Sequence, residues 1–535
     1  MNPILHWYGK LFQWLSVWLH YVLGRLGRVV PGFSAWTTGV SQPEVSHHRS
    51  SDAWKSNMEL RTYDFEGRSD HMIIIQTNTH AFRVNLDRLS ECSEYFRALS
   101  QSGMREADEN VVHLNHVSSS VFYHLMEFYF HDIFETLPEE ELSQHIEVSS
   151  YLLADAFLSQ CLSLLSCELR PERCLSYLNL AREICCVELR STVLAYLSKN
   201  LLELPQIIRC LSNEDKQEVI LLRTQGKPYL CTLRKENLTS WKDPSTERAR
   251  HVFAERSGTW RPIAEFPFRA DKWCFTAVVL YNYLYIIGGY RTLVRRRWDF
   301  KMASFRYNPL TQEWAAVSPL IKHRRHFSAA VCEGRIYAVG GWYLDSLVSP
   351  DSNTALFTAV ECYDPWEDNW RFVSPLPLTD FQFTVSLSHD VPLITSLGHC
   401  LYILGSIQRT GEKLLLQYDT RRDLWCEVLP TLTRADADLP ALYFLGASEK
   451  LVVIGGNNLH NVVTSFCTRS QKWGQVKTNH DTTKTGQGML LGDQVVMPSV
   501  EHNSVVSIDV QSLSMKVLTP LPIAICYEAV FYLHF

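Results

Sequence analysis

The residues with the most chemical potential are cysteine and arginine. Fifteen cysteines run from Cys92 to Cys526, and thiols at paired spacing would signal a structural metal or a disulfide framework. They fall singly instead. Cys185 and Cys186 are adjacent, no C-x-x-C pair occurs and the total is odd, a pattern of reduced thiols in a cytoplasmic or nuclear protein, most serving as small apolar core residues. No metal, cofactor or catalytic residue is assigned. A second set is basic and aromatic: Arg291, Arg295, Arg296 and Arg297 precede Trp298 in one insertion, Arg324 and Arg325 begin a later segment, and Arg434 lies at a comparable point of another. Guanidinium forks beside an indole suit an acidic peptide, through charge-assisted hydrogen bonds and stacking. These are the candidate substrate-binding residues. The net charge of -6 over 535 residues gives no broad basic field, so nucleic acid is excluded as a partner class and protein is favoured.

A chain of this length must fold as several units. Ile4 to Leu23 places His6, Lys10, Gln13, Ser16 and His20 on one helical stripe and Leu5, Phe12, Leu15, Leu19 and Val22 opposite. With its tryptophans and the following Arg25 and Arg28, residues 4–23 suit a helix lying in a membrane interface or packed on a partner. Lys10 interrupts the apolar run and argues against a signal peptide. Residues 31–58 read as a linker, and 1–58 as an N-terminal extension. A small α+β unit follows over 59–168, with strands at Met72–Ile75, Ala81–Val84 and Val111–Leu114 and helices over Leu86–Leu99 and Val121–Phe130. Residues 169–226 read as a short all-α segment: Leu175, Leu178, Ala181 and Ile184, then Val193, Leu194, Leu197 and Leu201, recur at helical spacing after the similar Leu153, Ala156 and Leu158.

The rest of the chain, 227–535, repeats. Leu284–Gly289, Ile336–Gly341 and Leu451–Gly456 each end in a glycine pair, with Leu401–Ser406 as a worn copy. Each is followed by a tyrosine or phenylalanine and then a tryptophan: Tyr307 with Trp314, Tyr363 with Trp370, Tyr418 with Trp425 and Phe466 with Trp473. The period of about fifty residues is that of a propeller blade. Aromatic side chains supply the apolar area between blades, and the glycines allow close approach of backbone. Adding the worn units around Trp260 and from Gly488 to Asp509 predicts six blades, with five as the alternative. The terminal Ala529–Leu533 strand is expected to complete the blade begun at Tyr229, closing the ring.

These repeats resemble the kelch motif, so the region is expected to be a kelch β-propeller. Ser93-Glu94-Tyr95-Phe96-Arg97-Ala98-Leu99, followed by Met104-Arg105-Glu106, resembles the S-x-Y-F-x-A-φ and φ-x-E stretches of the BTB (POZ) domain. Two family positions differ, reading Val84-Asn85 and Phe130-His131. Arg173-Cys174-Leu175 resembles the start of the BACK segment. The resemblance to BTB-BACK-kelch proteins implies a non-catalytic adaptor that docks on cullin-3 through Phe96, Leu99, Met104 and Glu106, pairs as a homodimer through its BTB domain and holds an unidentified target protein on the propeller. That makes it a substrate-recognition subunit of a cullin-3 RING ubiquitin ligase. The alternative is a cytoskeletal, actin-binding scaffold. A copper oxidase built on kelch-like blades would need a cluster of copper ligands, which the repeats do not supply. The expected location is cytoplasmic, with cytoskeletal association or the nucleus as alternatives.

Overall fold

The computed structural model describes residues 61–64, 71–101, 110–135, 137–234, 250–268, 272–273, 275–292, 298–299, 303–325, 327–343, 355–356, 358–377, 393–406, 413–432, 441–456, 459–479, 487–499, 501–512, 514–522 and 528–535. Two compact units result: one runs to Ser198 and takes in Gln206–Lys216, and the other comprises Lys199–Pro205 and Gln217–Phe535. The amphipathic stretch 4–23 and the linker 31–58 lie outside the described residues. Among those described, no helix is long and apolar enough to cross a membrane.

In the first unit, β1 (Arg61–Tyr63), β2 (Met72–Gln76), β3 (Ala81–Asn85) and β4 (Val111–His113) form one sheet in the order β1-β3-β2-β4. β2 and β3 are an antiparallel hairpin, while β1 runs parallel to β3 and β4 to β2. Alternation puts Ile73, Ile75, Phe82 and Val84 inside. The expected helix over Leu86–Leu99 is two helices, α1 (Leu86–Cys92) and α2 (Glu94–Gln101). The break is chemical: Ser93 is extended, with φ -140° and ψ 124°, and its hydroxyl donates to Leu152 O at 2.5 Å, an acceptor 59 residues away. Asn85, where the BTB pattern has histidine, caps α1 by accepting from Arg88 N at 2.9 Å. Helices α3 (Ser119–His131), α4 (Glu139–Tyr151) and α5 (Asp155–Glu168) complete the domain. Four more helices follow, Cys174–Glu183, Val187–Lys199, Pro205–Cys210 and Asn213–Leu222. In the first unit, buried Asp215 of the last helix draws three of them together by accepting from Arg182 at 2.8 Å and Arg190 at 2.6 Å.

The second unit is a six-bladed propeller. Its blades are antiparallel sheets, and the first strand of each contacts the neighbouring blade all the way round to the start. In blade 1 the order is Glu528–His534, Pro228–Arg234, His251–Arg256, Thr259–Glu265, so the C-terminal strand does fill the opening position as expected. Blades 2 to 6 begin at Thr276, Ser328, Leu393, Ala441 and Met489. The paired aromatic residues sit directly across strands, with ring centroids 5.0 Å apart for Tyr307–Trp314 and Tyr363–Trp370 and 4.8 Å for Tyr418–Trp425.

These aromatics also stitch blades together through polar atoms. Trp370 Nε1 donates to Ser318 O at 2.9 Å, and Asp368 Oδ1 accepts from Ser318 N at 2.9 Å and Tyr363 OH at 2.7 Å. The same relay recurs one blade on: Trp425 Nε1 donates to Ser374 O at 2.8 Å, while Asp423 Oδ1 accepts from Ser374 N at 2.8 Å and Tyr418 OH at 2.5 Å.

The last turn of the helical segment is built into the propeller. Arg223 is fully buried over the Tyr283 ring, 3.8 Å from its centroid, and donates to Tyr281 O at 2.5 Å and Asn308 Oδ1 at 3.0 Å. Asn282 Nδ2 donates to both Arg223 O and His534 O, and its Oδ1 accepts from His534 N. Thus the residues before blade 1 and the strand that closes it meet on one asparagine. A methyl group at Gly226 would overlap the carbonyl of Phe535.

Two outcomes follow. Asp423→Ala is expected to cost about 1 kcal/mol by removing the bonds it accepts from Tyr418 OH and Ser374 N, read as a lower midpoint of tryptophan-detected unfolding. Burial pushes the Asp423 carboxyl up, but the bonds from Tyr418 and Ser374 outweigh this and hold it below the ordinary carboxylate range. Its contribution is therefore present above the unfolded-state pKa and is lost as pH falls through the folded value. Gly226→Ala is expected to loosen the closing strand, seen as faster amide exchange over 528–535.

Candidate functional site

In the first unit the nominated cullin-contact residues divide. Phe96 is 0% exposed and Leu99 7%, so both fill the domain core rather than face a partner, a correction to the sequence expectation. An apolar face on a helix must be covered by something, and here its own domain covers it. Met104 and Glu106 lie outside the described residues. The part-exposed aromatic residue of the motif is Tyr95, whose ring stands edge-on to Phe96 at 5.0 Å and 5.7 Å from Tyr151, which in turn meets His116 at 4.6 Å. This aromatic group carried no periodic signal, because its members come from three segments.

Histidine chemistry in this unit is internal. His145 is fully buried and its Nδ1 lies 2.8 Å from Glu141 O. A carbonyl only accepts, so Nδ1 carries the proton and Nε2 is left to accept from His124 Nδ1 at 2.9 Å. Burial drives the His145 pKa down to about 4 and also lowers that of His124.

In the second unit, the end of the ring bearing the second-to-third-strand loops is elaborated on two adjacent blades. On blade 2, Lys272–Trp273, Tyr290–Thr292 and Trp298–Asp299 form a three-stranded ribbon, in which Arg291 pairs with Lys272 and Asp299, and Thr292 with Trp298. On blade 3, Arg324–Arg325, Trp342–Tyr343 and Ala355–Leu356 form its counterpart, with Arg325 paired to Trp342. The ribbons thus place Arg291, Trp298 and Arg325 at one end of the propeller. Arg295, Arg296, Arg297 and Arg434 lie outside the described residues.

Arg324 is different, and its assignment to substrate binding is corrected. Its side chain is 0% exposed and pairs with the equally buried Glu361 at 2.5 Å. It also donates to Gly340 O and Ala359 O, both at 2.9 Å, while Glu361 accepts from Ile321 N at 2.7 Å. Arg324 therefore ties the root of the ribbon to its blade. Charge alone reads as surface in a sequence; the partner that buries it is 37 residues away.

Every described cysteine is a free thiol. One of them, Cys400, converges with His399 and Asp419, their donor atoms within 4.8 Å of one another.

Comparison with known proteins agrees with this architecture. The BTB/POZ domain family matches residues 64–168, and the Kelch motif matches residues 323–377. Kelch-like protein 35 of Mus musculus is 28% identical over 218 residues, covering 40% of this chain and 32% of that protein. Kelch repeat and BTB domain-containing protein 13 of Homo sapiens is 24% identical over 355 residues, covering 65% and 69%. Kelch-like protein 26 of Mus musculus is 24% identical over 424 residues, covering 72% and 66%. The match to the first of these spans about a third of its length. A BTB domain, a helical segment and a six-bladed propeller thus lie on one chain. The domain matches and the similar proteins alike are those of BTB-kelch proteins.

The histidine pair makes a pH prediction. Because the folded pKa of His145 lies below the unfolded value, the unfolded state binds more protons between about pH 6.5 and about 4. Stability of the BTB unit is expected to fall across that window, by about 3 kcal/mol in total, and His145→Gln to flatten the decline in a pH series of thermal midpoints.

Proposed function

We propose that this protein is a substrate-recognition adaptor of a cullin-3 RING ubiquitin ligase, its BTB unit docking on cullin-3 and its propeller holding the target. The observation that carries the reading is the combination of a BTB domain with a six-bladed ring whose neighbouring blades raise ribbons at one end. Such a molecule works by proximity: tethering a target beside the transfer machinery raises its local concentration without any bond chemistry by the adaptor. Ubiquitin transfer belongs to partner subunits, and BTB pairing would present two propellers in one assembly. Loops on a rigid scaffold are the usual place for recognition, and Arg291, Trp298 and Arg325 on the two ribbons suit an acidic segment of the target. On the BTB side, Met104 and Glu106 are the docking residues, with part-exposed Tyr95 nearby in sequence. The setting is cytoplasmic.

Cullin-3 co-purification with the full chain is the test. Replacing Met104 and Glu106 together by alanine is expected to cost about 2 kcal/mol or more, the range of an interface hot spot, and so roughly thirtyfold in affinity. Unchanged recovery of cullin-3 would remove the ligase assignment. Co-sedimentation of the same variant with actin filaments would then favour the scaffold reading.

A further inference from the structure

At the end of the propeller opposite the ribbons, each blade turns from its first strand to its second and from its third to its fourth. The residue closing the third strand there is an acid or amide in most blades: Asn308, Asp364, Asp419 and Asp509. In each its Oδ1 accepts from the backbone N–H two residues on. The other oxygen of the acid usually has a donor on the second strand. Arg335 Nε supplies it to Asp364 at 3.2 Å, and Gln494 Nε2 to Asp509 at 2.6 Å.

Blade 4 breaks this pattern. The residue across from Asp419 is Cys400, a thiol, in the register position that Gln494 holds across from Asp509. Asp419 Oδ1 accepts from Arg421 N at 3.0 Å and Arg422 N at 3.1 Å, while Oδ2 stands 3.7 Å from both His399 Nε2 and Arg422 Nε. Thus a carboxylate oxygen, an imidazole and a thiol face one another where blades 3 and 6 place a fixed donor.

We propose that His399, Cys400 and Asp419 form a binding site for one zinc ion. The donor set is chemically apt: thiolate and carboxylate neutralise the dication, and nitrogen with sulfur selects zinc over magnesium or calcium. Size agrees as well. Bonds of about 2.0–2.3 Å at tetrahedral angles separate donors by about 3.5 Å, and these atoms already lie within 4.8 Å of one another. Rotation of the part-exposed His399 ring closes the difference.

The surroundings support the site. Thr420 donates to His399 O through both Oγ1 at 2.6 Å and N at 3.2 Å, locking the two turns together. Burial raises the pKa of the Cys400 thiol, and Gln417 Nε2, which donates to its Sγ at 3.1 Å, works against that rise. Arg421 is occupied by Glu333 of blade 3, at 2.9 Å from Nε, which offsets its charge. Three protein ligands leave the fourth position to water.

Cobalt is the probe, since a tetrahedral thiolate site gives it visible ligand-field and sulfur charge-transfer absorption. The full chain, stripped of metal, is expected to take up one equivalent of Co2+ with this spectrum and to release it to added Zn2+. His399→Ala and Asp419→Asn are expected to weaken that uptake by about a hundredfold, the upper end of what losing even a supporting partner costs, and Cys400→Ser to remove the charge-transfer band. Asp419→Asn keeps the oxygen that caps the turn, and His399→Ala keeps the backbone acceptor, so both fold. Spectra and uptake of those two variants equal to the parent would overturn the proposal. So would an equal loss in Cys467→Ser, which changes a thiol in the corresponding turn of blade 5.

Discussion

The ring exists because its last strand pairs with the strand that opens it. Seven consecutive residues of Glu528–His534 register against Pro228–Arg234, joining positions separated by nearly the whole second unit, and until that pairing forms blade 1 lacks its innermost strand. Backbone hydrogen bonds alone would not specify such a distant partner, because any free edge offers them. Specificity comes from what flanks the seam: Asn282 bonds both the segment before the opening strand and the closing one, and buried Arg223 fixes that segment through four backbone or amide acceptors. The closing residues and the tail of the helical segment are in this sense a single structural element.

That arrangement separates two meanings of a domain boundary. By pattern the helical segment ends near residue 226 and strands begin at 227. By packing, Lys199–Pro205 and everything from Gln217 belong with the blades. Tyr283 OH donates to Glu203 at 2.6 Å, and Arg306 donates to Leu202 O at 2.9 Å, so residues that read as helix surface are load carriers for blade 2. These buried polar contacts make those residues part of the second unit itself.

Repetition was the most legible feature of the sequence. Blade strands, the aromatic pairs and the C-terminal closure all follow from period and residue type, because each blade states its pattern locally. The misreadings share a cause, which is a decisive partner far along the chain. Ser93 breaks a helix for the sake of Leu152, Arg324 is buried by Glu361, and Phe96 and Leu99 show by spacing only that they form an apolar face, without showing what covers it. In α5 Ala156 is exposed while its neighbour Phe157 is buried, since helical periodicity tolerates an offset of one. The relay acids Asp368 and Asp423 were available to be found, each two residues before its tryptophan, but the aromatic pair drew the explanation toward apolar area alone. The exception in blade 4 becomes visible only when the turns are laid over one another in space.

The stitching between blades is uneven, and this gives the ring a grain. Blades 3 and 4 carry the complete relay, and Trp260 of blade 1 reaches Pro520 O of blade 6 at 2.6 Å. In blades 2 and 5 glutamine stands where the relay acid would be, at Gln312 and Gln471, and the indole N–H groups of Trp314 and Trp473 have no acceptor among the described residues. The indoles at those two junctions contribute apolar packing, which tolerates sliding better than directed hydrogen bonds do, although Tyr307 OH still donates across the first of them to Ile263 O at 3.2 Å. They lie on opposite sides of the circle. Blades 2, 3 and 4 are thus joined in series by the relay, and that arc holds both ribbons. A ligand gripped there would sit on blades that these bonds hold to one another.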